Sequence, residues 1–132
     1  MRFLTLLLSL YLGLTTSLLS AADEVEKPRT IAYYELSPSI VVNVRGKAKY
    51  IRCDVQLMTR DQEKLSTISL HAPALRHELI LLLGDQQGTE IRSTKGKEKL
   101  RKAALKLLQG VMKNMIGDEA INDLFFTTYL VQ

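Results

Sequence analysis

The sequence predicts an α+β domain: a small antiparallel sheet with a kinked helix and one long amphipathic helix. Three observations carry that expectation. Residues 49–59 alternate apolar and polar side chains with a period of two, as a half-buried strand does. Residues 95–115 place apolar side chains at helical spacing and lysines on another face. Residues 120–131 are rich in Ile, Phe, Thr, Tyr and Val, the composition of a strand. At 132 residues, 46% apolar and 24% charged, the chain is long enough for one domain and too short for two. Such a domain holds a core without metal or disulfide staples, in keeping with its one cysteine, Cys53. The same counts exclude extended disorder, a collagen-like repeat, a zinc-finger array and a polytopic membrane protein.

The N-terminal segment is a separate object. Met1 and Arg2 are positive, Phe3 to Leu14 is rich in leucine, and Thr15 to Ala22 turns small and polar before Asp23 and Glu24. This is the three-part order of a signal peptide with a cleavage site after Ala22. The other reading is an uncleaved signal-anchor, since Phe3 to Ala22 is 20 residues without a charge, although seven of them are Ser, Thr or Gly. Either way Arg2 holds the N-terminal end inside and residues 23–132 are exported.

Residues 23–33 are read as a linker, charged at first and carrying Pro28, and residues 34–132 as the domain. Leu36 and Ile40 to Val44, interrupted by Ser37 and Pro38, predict an edge strand or a broken one, because proline cannot donate to a ladder. Arg45-Gly46-Lys47 is a turn, leading to a hairpin partner in which Ile51, Cys53, Val55 and Leu57 face inward. Asp61 opens a helix carrying Leu65, Ile68, Leu75, Leu79, Leu82 and Leu83, which Pro73 kinks or divides. Gly84 to Gly88 is a loop, and Glu90 to Arg92 a short strand. Ser93 or Thr94 caps the long helix, whose apolar stripe is Leu100, Ala104, Leu107, Val111 and Met115. In the last strand Ile121, Phe125 and Tyr129 share one face and Leu124, Phe126 and Leu130 the other, which places it inside the sheet.

Chemistry is thinly supplied. His71 and His77 are six residues apart across Pro73, without the spacing of helical zinc ligands, and read as surface or helix-end residues. Cys53 reads as core filler. Asp61-Gln62-Glu63 and Asp118-Glu119 sit at element ends, where carboxylates answer the helix dipole. No nucleophile elbow, phosphate-binding glycine loop or metalloprotease motif is present. The sequence therefore points to no enzyme, no cofactor and no metal.

Charge is the strongest asymmetry. Arg92 to Lys113 holds eight basic residues and one acid, whereas the rest of the chain after Ala22 has nine basic and thirteen acidic residues. Lys95, Lys99, Lys102 and Lys106 fall on one face of the long helix and are the candidate contact with an acidic partner or with anionic lipid; a merely solvated face is the plainer alternative. Nucleic acid is disfavoured by export and by the lack of aromatics among these residues. A periplasmic ligand-binding or hydrolytic domain is the rival reading of the chain.

Four blocks, in order, resemble the flagellar basal-body-associated FliL family: Tyr34-x-Leu36-x-Pro38-x-Ile40-Val41-Val42-Asn43, Pro73-x-Leu75-Arg76-x-x-Leu79-Ile80, Thr94-Lys95-Gly96-Lys97-x-x-Leu100-Arg101, and Phe126-Thr127-x-Tyr129-Leu130-Val131-Gln132. They depart from the family pattern at His77, where an acid is common, at Lys95, where a glutamate is frequent, and in the cleavable look of the leader. The resemblance implies a non-enzymatic periplasmic domain at the inner membrane, related in fold to stomatin and prohibitin domains. It implies assembly of like copies into a ring around the stator units, with stator and basal-body proteins as partners, in support of rotation, swimming or swarming.

Overall fold

The computed structural model describes residues 29–132. The leader assigned to residues 1–22 and the linker up to residue 28 lie outside the described residues. In chain order the elements are β1 (Ala32–Glu35), β2 (Ile40–Asn43), β3 (Tyr50–Thr59), α1 (Leu65–Gly84), α2 (Gly88–Ile91), α3 (Thr94–Ile116) and β4 (Asp123–Val131). β1 begins two residues before the expected domain boundary, inside the stretch read as linker.

The period-two pattern of β3 sets the sheet. Ile51, Cys53, Val55 and Leu57 are fully buried, and the alternate residues Arg52, Asp54, Gln56 and Met58 face outward. β1 and β2 lie end to end on one edge of β3, pairing antiparallel with Gln56 to Thr59 and with Tyr50 to Cys53 respectively. The Ser37-Pro38 break between them leaves carbonyls without ladder partners, and Arg76 of α1 answers them. Its guanidinium donates to the carbonyls of Leu36 at 3.3 Å, Ser39 at 3.1 Å and Pro38.

Asp61 accepts from the Glu63 N–H at 3.1 Å and opens a short 3-10 turn that leads into α1. Pro73 neither ends α1 nor starts a second helix; Leu65–Gly84 is one helix with Pro73 inside it. An interior proline costs about 3 kcal/mol. Burying a large apolar side chain returns roughly 1.5–3 kcal/mol, and α1 buries four: Ile68, Leu75, Leu79 and Leu83.

Three further expectations are corrected. Glu90 to Arg92 forms no strand. Gly88 to Ile91 make a turn of helix, held by the Ile91 and Arg92 N–H groups donating to the carbonyls of Gln87 and Gly88. In α3 the fully buried residues are Leu100, Ala104, Leu108 and Met112, while Leu107 and Val111 are half-buried and Met115 is 49% exposed. The buried line steps by four, along the ridge inclined at about 26° to a helix axis, and it is this line that faces α1, α2 and β4. β4, finally, pairs with β3 alone and is an edge strand.

The reason β4 misled is a bulge. Asp54 pairs with Thr128 and Val55 with Phe126, so Thr127 is extra. One added residue reverses the faces of all that follows. Leu124 and Phe126 before it, and Tyr129 and Val131 after it, all turn toward the core. Phe126 and Tyr129, which strict alternation places on opposite faces, meet with ring centroids 5.1 Å apart.

Candidate interaction surface

The groups able to do chemistry are dispersed or already engaged. His71 is half-buried and His77 exposed on α1, and among the described residues no three His, Cys, Asp or Glu side chains gather to hold a metal. Cys53 lies in the core, where burial first and the Asp54 carboxylate second push its thiol up to about 12. Asp61 caps the 3-10 turn. Asp118 accepts from Lys64 Nζ and from the Ala120 N–H, each at 2.7 Å, and these bonds hold its carboxyl below the ordinary value.

α3 divides its basic residues between two roles. Lys97 and Arg101 turn inward to β4. The Lys97 ammonium stands 4.9 Å above the Tyr129 ring, and Tyr129 Oη donates to the Ile91 carbonyl at 2.5 Å. Arg101 forks onto Glu98 at 2.7 and 2.8 Å and reaches Asp123 at 2.6 Å and the Leu124 carbonyl at 3.2 Å. Ser93 Oγ caps the helix by accepting from the Gly96 N–H at 3.0 Å. Gly96 is required because a Cβ there would stand 1.9 Å from the Glu90 carbonyl oxygen. The blocks that carry the family resemblance thus serve the fold: they lock α3 to β4 and α1 to the β1–β2 break.

Lys95, Lys99, Lys102 and Lys106 turn outward. All four are exposed. Their spacing confines them to an arc of about 60° on a 3.6-residue helix. None has a hydrogen bond or ion pair among the described residues. Lys106 stands at the rim of an apolar groove of about 740 Å³ lined by Leu107, Val111, Met115 and Glu78. Lys95 and Lys99 border a smaller pocket with Gln86 and Glu90.

The structure adds cations that the sequence did not place there. Lys47 and Lys49, from the β2–β3 turn, line a pocket of about 490 Å³ with Arg92, Thr89, Tyr50 and Gln132. The turn is tied down by Arg45, whose N–H donates to the Gln86 carbonyl at 2.9 Å and whose carbonyl accepts from the Gly88 N–H at 3.0 Å. No local signal could join residues 47–49 to residue 92; the folding of α2 onto the turn does so. Among the described residues, no helix is long and apolar enough to cross a membrane.

Comparison with known proteins gives concordant results. Residues 33–132 match the family described as flagellar basal body-associated protein FliL. The chain is also 24% identical over 113 residues to the flagellar protein FliL of Aquifex aeolicus (strain VF5), a match covering 84% of this chain and 68% of that one.

Proposed function

This chain belongs to the family of flagellar basal body-associated FliL proteins, and from that premise we propose that it is a non-enzymatic accessory protein of the flagellar motor. In this reading residues 23–132 stand in the periplasm at the inner membrane, with the leader either cleaved after Ala22 or retained as an anchor. Copies assemble into a ring around stator units and support rotation in swimming or swarming. The domain then shares its fold with stomatin and prohibitin domains. The family match over nearly the whole domain is the observation that carries the reading. The unpaired lysine row supports a role in contact, since exposed and unpartnered cations add little to folding.

Deletion of the gene tests the reading. The strain should lose spreading on soft agar or swarming plates, and unaltered motility overturns a motor role. Replacing Lys95, Lys99, Lys102 and Lys106 together by glutamine should weaken motor association and motility while leaving Tm nearly unchanged. Association of the wild type should also weaken between 0.1 and 1 M salt, as the Debye length shrinks from about 10 to about 3 Å.

A further inference from the structure

The two ends of the sheet differ in charge: one mixes acids with bases, the other gathers cations. Ala32 pairs with Thr59 and Asn43 with Tyr50, so the chain comes in at the Thr59 end of β3 and turns at the Tyr50 end. Asp61, Glu63, Asp118 and Glu119 lie at or beyond the Thr59 end together with Arg60, Lys64 and Lys113, and Asp118 is bonded to Lys64. At the other end the β2–β3 turn, α2 and the start of α3 bring up Lys47, Lys49, Arg92, Lys95 and Lys99. Ten residues of β3 separate the two ends. At about 3.3 Å per residue that is roughly 30 Å.

We infer that the pocket lined by Lys47, Lys49 and Arg92 is a docking site for an acidic protein segment, at the end of the sheet opposite to the one where the chain enters. The inference rests on the reading above and assigns the partner of that surface. Three basic side chains border the pocket and no acidic side chain does; the main-chain oxygen of Gln132, which also lines it, already accepts from the N–H groups of Lys49 and Tyr50, and none of the three cations has an ion-pair partner among the described residues. A carboxylate entering it meets donors from two separate elements, which suits the side chains of an extended acidic peptide. A lipid headgroup is the poorer fit. If the chain is held at its N-terminal side, the pocket lies at the opposite end of the sheet, roughly 30 Å from the end that faces the bilayer. The nine residues 23–31 reach at most about 32 Å fully extended, so they cannot invert the domain and keep it close to the surface.

The test uses the full chain and two probes, poly-L-glutamate and vesicles of phosphatidylglycerol and phosphatidylethanolamine at 1:3. Two charge-matched variants are compared with the wild type: K49Q/R92Q at the pocket and R60Q/K113Q away from it. The pocket variant should bind polyglutamate at least tenfold more weakly at 50 mM salt, with the control variant within threefold of wild type and vesicle binding equal for all three. Circular dichroism melts establish that each variant is folded. Equal loss in both variants reduces the effect to net charge and overturns the inference. A parallel loss of vesicle binding at the pocket variant makes lipid the ligand and overturns it as well. Should deletion leave motility intact while the pocket still binds polyglutamate, the motor reading fails and the site stands; the converse pair of results fails the site alone.

Discussion

Replacing Arg76 by methionine keeps the aliphatic stem and removes every donor that closes the break between β1 and β2. The guanidinium serves three carbonyls, those of Leu36, Pro38 and Ser39. Pro38 is exposed, so water takes over its carbonyl. Leu36 is only 2% exposed, and its carbonyl would be left without a donor. An abandoned buried acceptor costs about 1–3 kcal/mol, and a lost charge-assisted bond at half-buried Ser39 adds about 1 kcal/mol more. The expected loss is therefore about 2–4 kcal/mol. At roughly 4–8 °C per kcal/mol for a domain near 100 residues, Tm should fall by about 8–32 °C. Urea titration should move the midpoint while leaving the slope unchanged. Arg76→Lys should recover less than half of the loss, because an ammonium cannot span three acceptors as a planar fork does. An Arg76→Met protein within about 0.5 kcal/mol of wild type, a margin ordinary for a surface change, would refute the assignment of Arg76 as the clamp.

Further outcomes follow from the same structure. Gly110→Ala should raise stability by about 1 kcal/mol, the helix-propensity difference, because a Cβ there meets nothing within 4 Å. Gly96→Ala should lower stability in the same thermal melts despite the identical propensity gain, since its Cβ would strike the Glu90 carbonyl. Deleting Phe125 to Gln132 should abolish the cooperative melt, for it strips Phe126, Tyr129 and Val131 from the core and removes the Gln132 carbonyl that accepts from the N–H groups of Lys49 and Tyr50. The Cys53 thiol, raised to about 12 by burial, should resist iodoacetamide at pH 8 in the native protein and react on unfolding, as read by mass spectrometry. Asp118 is held below its ordinary value by Lys64. Its contribution is present above that ordinary value and is lost as pH falls toward the depressed one, so Asp118→Asn should flatten the decline of Tm below about pH 4.

Local patterns made much of this protein readable. The alternation in residues 51–57 gave the inward face of β3, the proline at 38 gave an edge or broken strand, and the helical spacing of residues 95–115 gave α3 and its outward lysines. Each of these depends on a side-chain period or a missing N–H that belongs to the residue itself. The family resemblance rested on residues that were legible as a pattern and silent as to purpose. Arg76, Gly96, Arg101 and Tyr129 acquired their roles only from the neighbours that the fold supplied.

What the tertiary structure decided was always a matter of partners far apart in the chain. The bulge at Thr127 exists because Asp54 and Val55 take Thr128 and Phe126 as partners, and no count along β4 alone contains that shift. The buried line of α3 follows Leu108 and Met112 instead of Leu107 and Met115 because that is the side its neighbours cover, and which side of a helix is covered is a property of the packed elements and not of the helix alone. Lys47 and Lys49 join Arg92 because Gly88 lets α2 sit against Ala48, where a Cβ would come within 2.3 Å of the alanine's own. Sequence fixes the period of each element through local sterics and side-chain polarity. Which faces meet, and which charges are left to share a surface, is settled by long-range packing.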